Sequence, residues 1–190
     1  MKTLDKELII LGGGGHAEVI IDCCSLLNIK IAGILNKDKK EILGVSVIGD
    51  DYLLEDKEFI KNYNFFIAIG DNAKRKEAFI KLEAKDGNII SIIHPTAIIS
   101  KNTDIAVGTF IAAGVILQTG VKIAKNSIIN TGAKIDHHSI IGSNCHVAPN
   151  VTLAGNVKLG DNCFVGMGSC IVNNVNVKDN SFIKAQTLIK

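Results

Sequence analysis

Three of the five histidines of this 190-residue chain lie close together in the stretch NTGAKIDHHSIIGSNCHV. They are His137, His138 and His146, and Asp136 precedes the first of them. An imidazole titrates near neutral pH, so it can take a proton from an attacking nucleophile or, as the neutral ring, bind a metal ion. The stretch therefore predicts a reaction site of one of these two kinds.

The elements that must position these histidines follow a strict six-residue repeat. From His94 the chain divides into sixteen hexads without insertion or deletion, and each hexad ends in Ile, Leu or Val. The fourth place is always Ala, Ser, Thr, Cys or Val, and the third is Gly or Asn in thirteen hexads. Gly and Asn tolerate the left-handed backbone of tight corners, and β-branched residues favour short strands. The pattern predicts a triangular coil of three hexads per turn over residues 94–190, with the aliphatic residues at its centre.

This repeat predicts which residues are neighbours in adjacent coils. Residues 18 positions apart stack at the usual strand spacing of about 4.8 Å. His137 then lies between Thr119 and Gly155, and we expect the surface beside it to be open because Gly155 has no side chain. Cys145 and Cys163 share an inward column and are expected to pack in the core.

The first 93 residues show alternating strand and helix patterns. A strand, a glycine loop and a helix are predicted in KELIILGGGGHAEVIIDCCSLLN, with further strands at IKIAGILN and NFFIAIG. Helices are predicted near DDYLLEDKEFIKNY and DNAKRKEAFIKLEAKDG, so residues 1–93 are predicted to form a small, parallel, Rossmann-like α/β domain.

The glycine loop is a candidate anion site. Gly12, Gly14 and Ala17 fit the pattern GxGxxA, which places backbone amides at a helix N-terminus where a diphosphate can bind. A tight turn without a ligand explains the same glycines, so the motif alone does not distinguish an anion site from a structural turn. Because 93 residues are few for a six-stranded dinucleotide domain, a nucleotide sugar fits the size better.

Composition limits the classes of function. The net charge of +2 is spread along the chain, which argues against nucleic-acid binding. The five cysteines form no CxxC pair, and the apolar run near the N-terminus is too short for a secretory signal or a membrane span. We therefore expect a soluble cytoplasmic protein with free thiols.

Over essentially its full length the chain resembles the NeuD/PglD-type sugar acyltransferases. The motifs that carry this resemblance are ILGGGGHAEVI, IAGILN, FFIAIGDNAKR, IHPTAIIS, NTGAKIDHHSIIG and HVAPNVTLAGNVKLGDNCFVGMGS. The resemblance implies a left-handed parallel β-helix and a homotrimer in which acetyl-CoA lies between neighbouring coils. PglD-like members acetylate the 4-amino group of a UDP-activated 4-amino-4,6-dideoxy sugar, whereas NeuD-like members acetylate sialic acid.

The resemblance also implies roles for residues of the coil. His137 is expected to be the general base, and Asn130 to lie near the sugar and the base. His146 is expected near the thioester carbonyl, where the amide of Gly155 can stabilise the oxyanion. The other coenzyme-binding positions are Met167, Gly168 and Ala185.

His138 departs from the family pattern. Many members carry an acidic residue directly after the catalytic histidine, and His138 stands there in this chain. It also fills a third place of a hexad, where histidine is one of the few alternatives that tolerate left-handed backbone. We expect Asp136, or an acidic group on the acceptor, to orient the imidazole instead.

The acceptor is expected to bind the N-terminal domain. The predicted wall of its pocket consists of Gly12, Gly13, Gly14, Gly15, His16, Asn36, Lys37, Asp38, Gly70, Asp71 and Arg75. A nucleotide diphosphate favours the glycine loop. A free sialic acid needs a cation for its carboxylate, for which Arg75 is the candidate.

Three alternatives to sugar N-acetylation are open. The nearest is O-acetylation of sialic acid or a related nonulosonic acid. A zinc enzyme of the γ-carbonic anhydrase kind takes three histidines from two subunits, but the close spacing of His137, His138 and His146 is not typical of that group, and no metal is expected. A catalytically inactive binding or scaffold protein is the third, because the acidic partner is missing.

Overall fold

The computed structural model describes residues 5–38 and 40–190. The chain divides into two compact units between Ile92 and Ile93. Each unit has its own sheets and core.

The first unit is an α/β domain. Its elements, in chain order, are β1 (Leu8–Leu11), α1 (Gly15–Leu26), β2 (Ile31–Leu35), β3 (Glu41–Ile42), β4 (Val45–Gly49), a 3-10 helix (Asp51–Glu55), α2 (Lys57–Asn62), β5 (Asn64–Ile67), α3 (Asn72–Glu83) and β6 (Asn88–Ile89). The strands form one sheet in the order β3-β4-β2-β1-β5-β6, parallel except for the β3–β4 pair. We expected that 93 residues would hardly supply a six-stranded sheet, and this expectation is wrong. Six strands fit into this length because β3 and β6 have only two residues each.

The core of this unit surrounds its central strand. All four residues of β1 are buried, as a strand covered on both faces requires. Helix α1 contributes Cys23 and Cys24, and burial raises the pKa of these thiols to about 11 and about 12. Asp71 caps α3 by accepting the backbone N–H of Lys74, and this hydrogen bond lowers the pKa of its carboxyl group.

The second unit is a left-handed parallel β-helix, as predicted, and its first strand begins one residue before the division, at Ile92. Its two-residue strands are β7 (Ile92–Ile93), β8 (Ile98–Ile99), β9 (Asp104–Ile105), β10 (Phe110–Ile111), β11 (Ile116–Leu117), β12 (Lys122–Ile123), β13 (Ile128–Ile129), β14 (Lys134–Ile135), β15 (Ile140–Ile141), β16 (His146–Val147), β17 (Thr152–Leu153), β18 (Lys158–Leu159), β19 (Phe164–Val165), β20 (Cys170–Ile171), β21 (Asn176–Val177), β22 (Phe182–Ile183) and β23 (Leu188–Ile189). They form three parallel sheets, and each residue pairs with the residue 18 positions later, as Ile128 does with His146. The predicted turn of three hexads is confirmed.

The corners of the coil lie where the repeat predicts them. In fourteen consecutive hexads, from Gly108 to Gln186, the third residue has a positive φ. His138 is one of them, with φ 58°, so its predicted left-handed conformation is confirmed. At one corner the side chains form an asparagine ladder, in which Asn126 donates to Asn144 at 2.7 Å and Asn162 donates to Asn180 at 3.1 Å.

The interior of the coil is a narrow aliphatic column. The last residue of every hexad from Ile111 to Ile171 is at most 2% exposed. Cys145 and Cys163 are fully buried beside this column, as predicted. In the described part of the chain no helix is long and apolar enough to cross a membrane.

Candidate active site

The two adjacent histidines lie at one corner of the coil, just after β14. The ring of His137 packs over Gly155 in one neighbouring coil, where an added Cβ would come 2.6 Å from Nε2. The ring of His138 packs over Gly120 in the other, where an added Cβ would come 2.9 Å from Cε1. The expected opening beside His137 is therefore wrong, because its own imidazole fills the space over Gly155.

The two imidazoles form an exposed pair. Their centroids are 5.5 Å apart, and the ring planes meet edge to face at 74°. Asp136 Oδ1 accepts the backbone N–H of His137 at 2.7 Å. The carboxylate thus holds the backbone of His137, and its predicted orienting effect on the ring remains a prediction.

A hydrogen-bond chain determines the tautomer of His146. The side-chain oxygen of Asn130 accepts the backbone N–H of Thr131 at 2.8 Å, which directs the Asn130 amide nitrogen towards His146. That nitrogen lies 3.1 Å from His146 Nε2. Because the amide nitrogen can only donate, Nε2 accepts, and the neutral ring carries its proton on Nδ1.

An aromatic column continues from His146 along the same sheet. The ring of His146 meets Phe164 edge to face at 5.2 Å, and Phe164 stacks on Phe182 at 5.1 Å. The predicted coenzyme positions Met167, Gly168 and Ala185 are all exposed. Gly120 and Phe164 were not predicted as site residues, although the 18-residue register places them beside His138 and His146.

The glycine loop connects β1 to the first turn of α1. Gly12 has φ 108°, and a Cβ there would come 2.9 Å from the carbonyl oxygen of Ala68. A Cβ on Gly13 would come 2.6 Å from the Asn36 amide nitrogen. By contrast, apart from the chain neighbours and the backbone of α1, no described atom lies within 4 Å of the Cβ positions of Gly14 and Gly15. The loop therefore packs tightly at its start and is open where the helix begins.

Most of the predicted pocket residues meet at one edge of the sheet. Gly12–Gly15 with His16 follow β1, Asn36–Asp38 follow β2, and Gly70 with Asp71 follow β5. Strands β2, β1 and β5 are parallel neighbours, so these loops leave the sheet at the same carboxyl edge. Such an edge is the usual ligand site of open α/β sheets.

Arg75 differs from the other predicted pocket residues. Its side chain is 1% exposed, and its guanidinium donates to the carbonyl oxygens of Ile69 and Gly70, both at 3.1 Å, and to Asn72 at 2.7 Å. These bonds tie the start of α3 to the loop after β5. The expectation that Arg75 offers its cation to a ligand carboxylate is therefore not supported, because the guanidinium lies inside the domain.

Two further features of the described residues bear on the site. Within residues 5–38 and 40–190 no group of three or more His, Cys, Asp or Glu side chains is placed to hold a metal ion. A cavity of about 540 Å³ lies away from the glycine loop, near the residues that precede β1 and begin β6. Its lining residues are Lys6, Leu54, Glu55, Lys57, Ile60, Lys61, Ala84, Lys85, Asp86 and Asn88, none of which belongs to the predicted pocket.

The coil and its surface histidines define a hexapeptide-repeat transferase, preceded here by a glycine-loop α/β unit. Comparisons with known proteins agree with this class. Residues 7–82 match the family model of the PglD N-terminal domain, and residues 120–155 match the model of the bacterial transferase hexapeptide, six repeats. The chain belongs to the NeuD/PglD-type sugar acyltransferase family.

Three relatives illustrate the similarity. PerB from Caulobacter crescentus, solved with CoA and GDP-perosamine, is 32% identical with a TM-score of 0.91, and the match covers 100% of this chain and 91% of PerB. The acetyltransferase domain of PglB from Neisseria gonorrhoeae FA1090 is 26% identical with a TM-score of 0.93, covering 98% of this chain and 92% of that domain. A UDP-N-acetylbacillosamine N-acetyltransferase of Bacillus subtilis (strain 168) is 31% identical over 116 residues, or 57% of this chain. The match spans about half of this curated relative, 52% of its length.

Proposed function

We propose that the protein is an acetyl-CoA-dependent N-acetyltransferase whose acceptor is the 4-amino group of a nucleotide-activated 4-amino-4,6-dideoxy sugar. The observation that carries this proposal is the exposed imidazole of His137, packed over Gly155 in a hexapeptide coil. Relatives of similar fold support the two substrates. PerB was solved with CoA and GDP-perosamine, and the PglB domain with acetyl coenzyme A.

His137 acts as the general base in this reaction. The lone pair of the acceptor nitrogen attacks the carbonyl carbon of the acetyl thioester, and His137 takes the proton that the nitrogen gives up. The C–S bond then breaks, and the CoA thiolate leaves with a proton returned from the imidazolium. The exposed ring suits this role because a proton acceptor has to reach the bound amine.

The carbonyl oxygen of the thioester gains negative charge during the attack. The backbone amide of Gly155 and the Nδ1 proton of His146 are the donors that we assign to this oxygen. Asn130 supports His146 by holding the tautomer that carries this proton. Met167, Gly168 and Ala185 line the coenzyme further along the coil.

The nucleotide sugar binds the carboxyl edge of the first unit's sheet. The open space beside Gly14 and Gly15, at the N-terminal end of the α1 dipole, favours the diphosphate. Asn36, Lys37 and Asp38 follow the adjacent strand and are assigned to the nucleoside, with His16, Gly70 and Asp71 completing the wall. UDP is our assignment for the nucleotide, and the GDP sugar bound by PerB makes GDP the necessary comparison.

The assembly and location follow from the same proposal. We assign the protein to the cytoplasm, where acetyl-CoA and nucleotide sugars are available, and to a homotrimer. Exposed apolar side chains on the coil, such as Val107 and Phe182, support association between copies. Light scattering should report three chains per particle, and a monomer would contradict this assignment.

The test of the function is thiol release from acetyl-CoA with parallel acceptors. UDP- and GDP-linked 4-amino-4,6-dideoxy sugars and free sialic acid are compared, using wild type and His137→Ala. We expect release with a nucleotide sugar, and a fall in kcat of about 10³-fold in the variant because the base is lost.

The other outcomes decide between the alternatives. Release with sialic acid alone would replace the proposed reaction by O-acetylation. Wild-type activity in His137→Ala would remove the general base from the proposal. If the wild type binds acetyl-CoA in calorimetry but acetylates none of these acceptors, the acceptor class is wrong. Failure to bind acetyl-CoA would identify a non-catalytic protein.

A further inference from the structure

The second imidazole of the site has no role in the reaction above, and we propose that His138 is a positioning residue for His137. It packs edge to face against the His137 ring and confines that ring over Gly155. This inference rests on the proposed acetyl transfer, in which His137 is the base.

The backbone conformation of this corner does not account for the presence of a histidine at position 138. The other residues of this corner column are Asn102, Gly120, Asn156 and Asn174. His138 takes the left-handed conformation that suits Gly and Asn better, and its backbone N–H donates to the carbonyl oxygen of Thr119 at 3.0 Å as a corner residue should. Because its side chain is exposed, core packing does not account for the ring.

The space around the pair is provided by two glycines. A Cβ at Gly120 would overlap the ring of His138, and a Cβ at Gly155 would overlap the ring of His137. The two glycines belong to the coils on either side of the histidines. Each ring therefore packs against one glycine, His138 against Gly120 and His137 against Gly155. The two rings contact each other between these glycines.

The contact between the rings has the geometry of a favourable aromatic pair. A centroid distance of 5.5 Å and an angle of 74° match edge-to-face packing. Asp136 holds the backbone of His137 through a hydrogen bond at 2.7 Å, and His138 and Gly155 hold its ring. Among the described residues no carboxylate is hydrogen-bonded to that ring, so His137 is restrained by these other contacts.

A double-mutant cycle tests whether His138 acts through His137. In His138→Asn the left-handed corner is kept and the imidazole is removed. We expect kcat to fall on the order of tenfold, in keeping with the loss of one aromatic contact, while KM for both substrates changes by less than about twofold. In a His137→Ala background the same substitution should cause no further fall.

The matched control is Asn174→Gly, which changes a residue of the same corner column two coils from His138. Its kcat should equal that of the wild type. The proposal is overturned if His138→Asn keeps full activity, if it raises KM at unchanged kcat, or if its effect persists in the His137→Ala background. The last outcome would show that His138 acts independently of His137.

A second measurement does not depend on turnover. Nuclear Overhauser contacts between the His137 ring and the Gly155 α-protons should be strong in the wild-type protein and weak in His138→Asn. Equal contacts in both proteins would overturn the positioning role. If the wild-type protein transfers no acetyl group, the proposed function fails, and these contacts still decide whether His138 confines the ring.

Discussion

The coil and the α/β unit use glycine for different reasons. In the coil, the third place holds Gly or Asn in thirteen of sixteen hexads, and every third place from Gly108 onward has left-handed backbone, so the repeat alone explains the glycines at these corners. Gly155 stands in a second place, and what requires it is the ring of His137. In the α/β unit, Gly12 is required by the carbonyl oxygen of Ala68, a residue distant in sequence. A regular repeat thus reveals its functional exceptions, whereas an irregular domain does not.

Among substitutions of these glycines and corner residues, the largest expected effect is at Gly155. In Gly155→Ala the new methyl group would overlap the His137 imidazole and displace it, so kcat should fall on the order of 10²-fold. The melting temperature should change little, because an exposed side chain can move away. Steady-state kinetics and calorimetry check both. Unchanged turnover would mean that the ring position over Gly155 is not the reactive one.

Gly12 should show the opposite behaviour. Gly12→Ala forces a positive φ of 108° on alanine and brings its methyl group against the Ala68 carbonyl, so the free energy of unfolding should fall by about 2–3 kcal/mol. The control is Gly14→Ala, where space is open and the loss should stay within about 0.5 kcal/mol. Urea denaturation measures both. Equal losses would show that the two ends of the loop do not differ in packing.

The asparagine ladder separates backbone strain from side-chain bonding. Asn144→Ala loses the hydrogen bond from Asn126 and places alanine at φ 57°, so it should cost about 2 kcal/mol. Asn144→Gly loses the same hydrogen bond, but glycine adopts the left-handed backbone without strain. Its loss in the free energy of unfolding should therefore be about 1 kcal/mol smaller than that of Asn144→Ala. If the two variants unfold at the same urea concentration, the left-handed corner is not what selects Asn.

The smallest effect is expected at Gly114. This corner has φ 67°, and a Cβ there would come no closer than 3.9 Å to Gly132. Gly114→Asn should therefore change the free energy of unfolding by less than about 0.5 kcal/mol, because Asn tolerates this backbone. A loss larger than that of Asn144→Gly would contradict the interchangeability of Gly and Asn at the corners.

The sequence predicted the coil almost residue by residue. Because the 18-residue register is geometric, it placed the strand pairs, the corners and the neighbourhood of His137 and Gly155 without knowledge of side-chain conformations. It did not show that the His137 ring fills the space over Gly155, since that depends on the direction of the side chain. The contacts of His138 with Gly120 follow from the same register once the ring direction is known.

The α/β unit was predicted less completely. Strands β1, β2 and β5 and the helical stretches were predicted, but β3, β4 and β6 were missed. Two of them have two residues each, too few to show a periodic pattern. The internal role of Arg75 was also missed, because a buried guanidinium that binds the carbonyl oxygens of Ile69 and Gly70 leaves no signal in the sequence.

The 18-residue pairing also sets a rule for how this half of the molecule can change in length. Deleting one residue would shift every later hexad, turning aliphatic side chains outward and polar ones inward. Gain or loss of one whole coil keeps the frame of all the others. Even then, His137 and His138 keep their places only if Gly120 and Gly155 remain in the adjacent coils. The surroundings of the histidine pair are therefore retained only when these three adjacent coils are retained together.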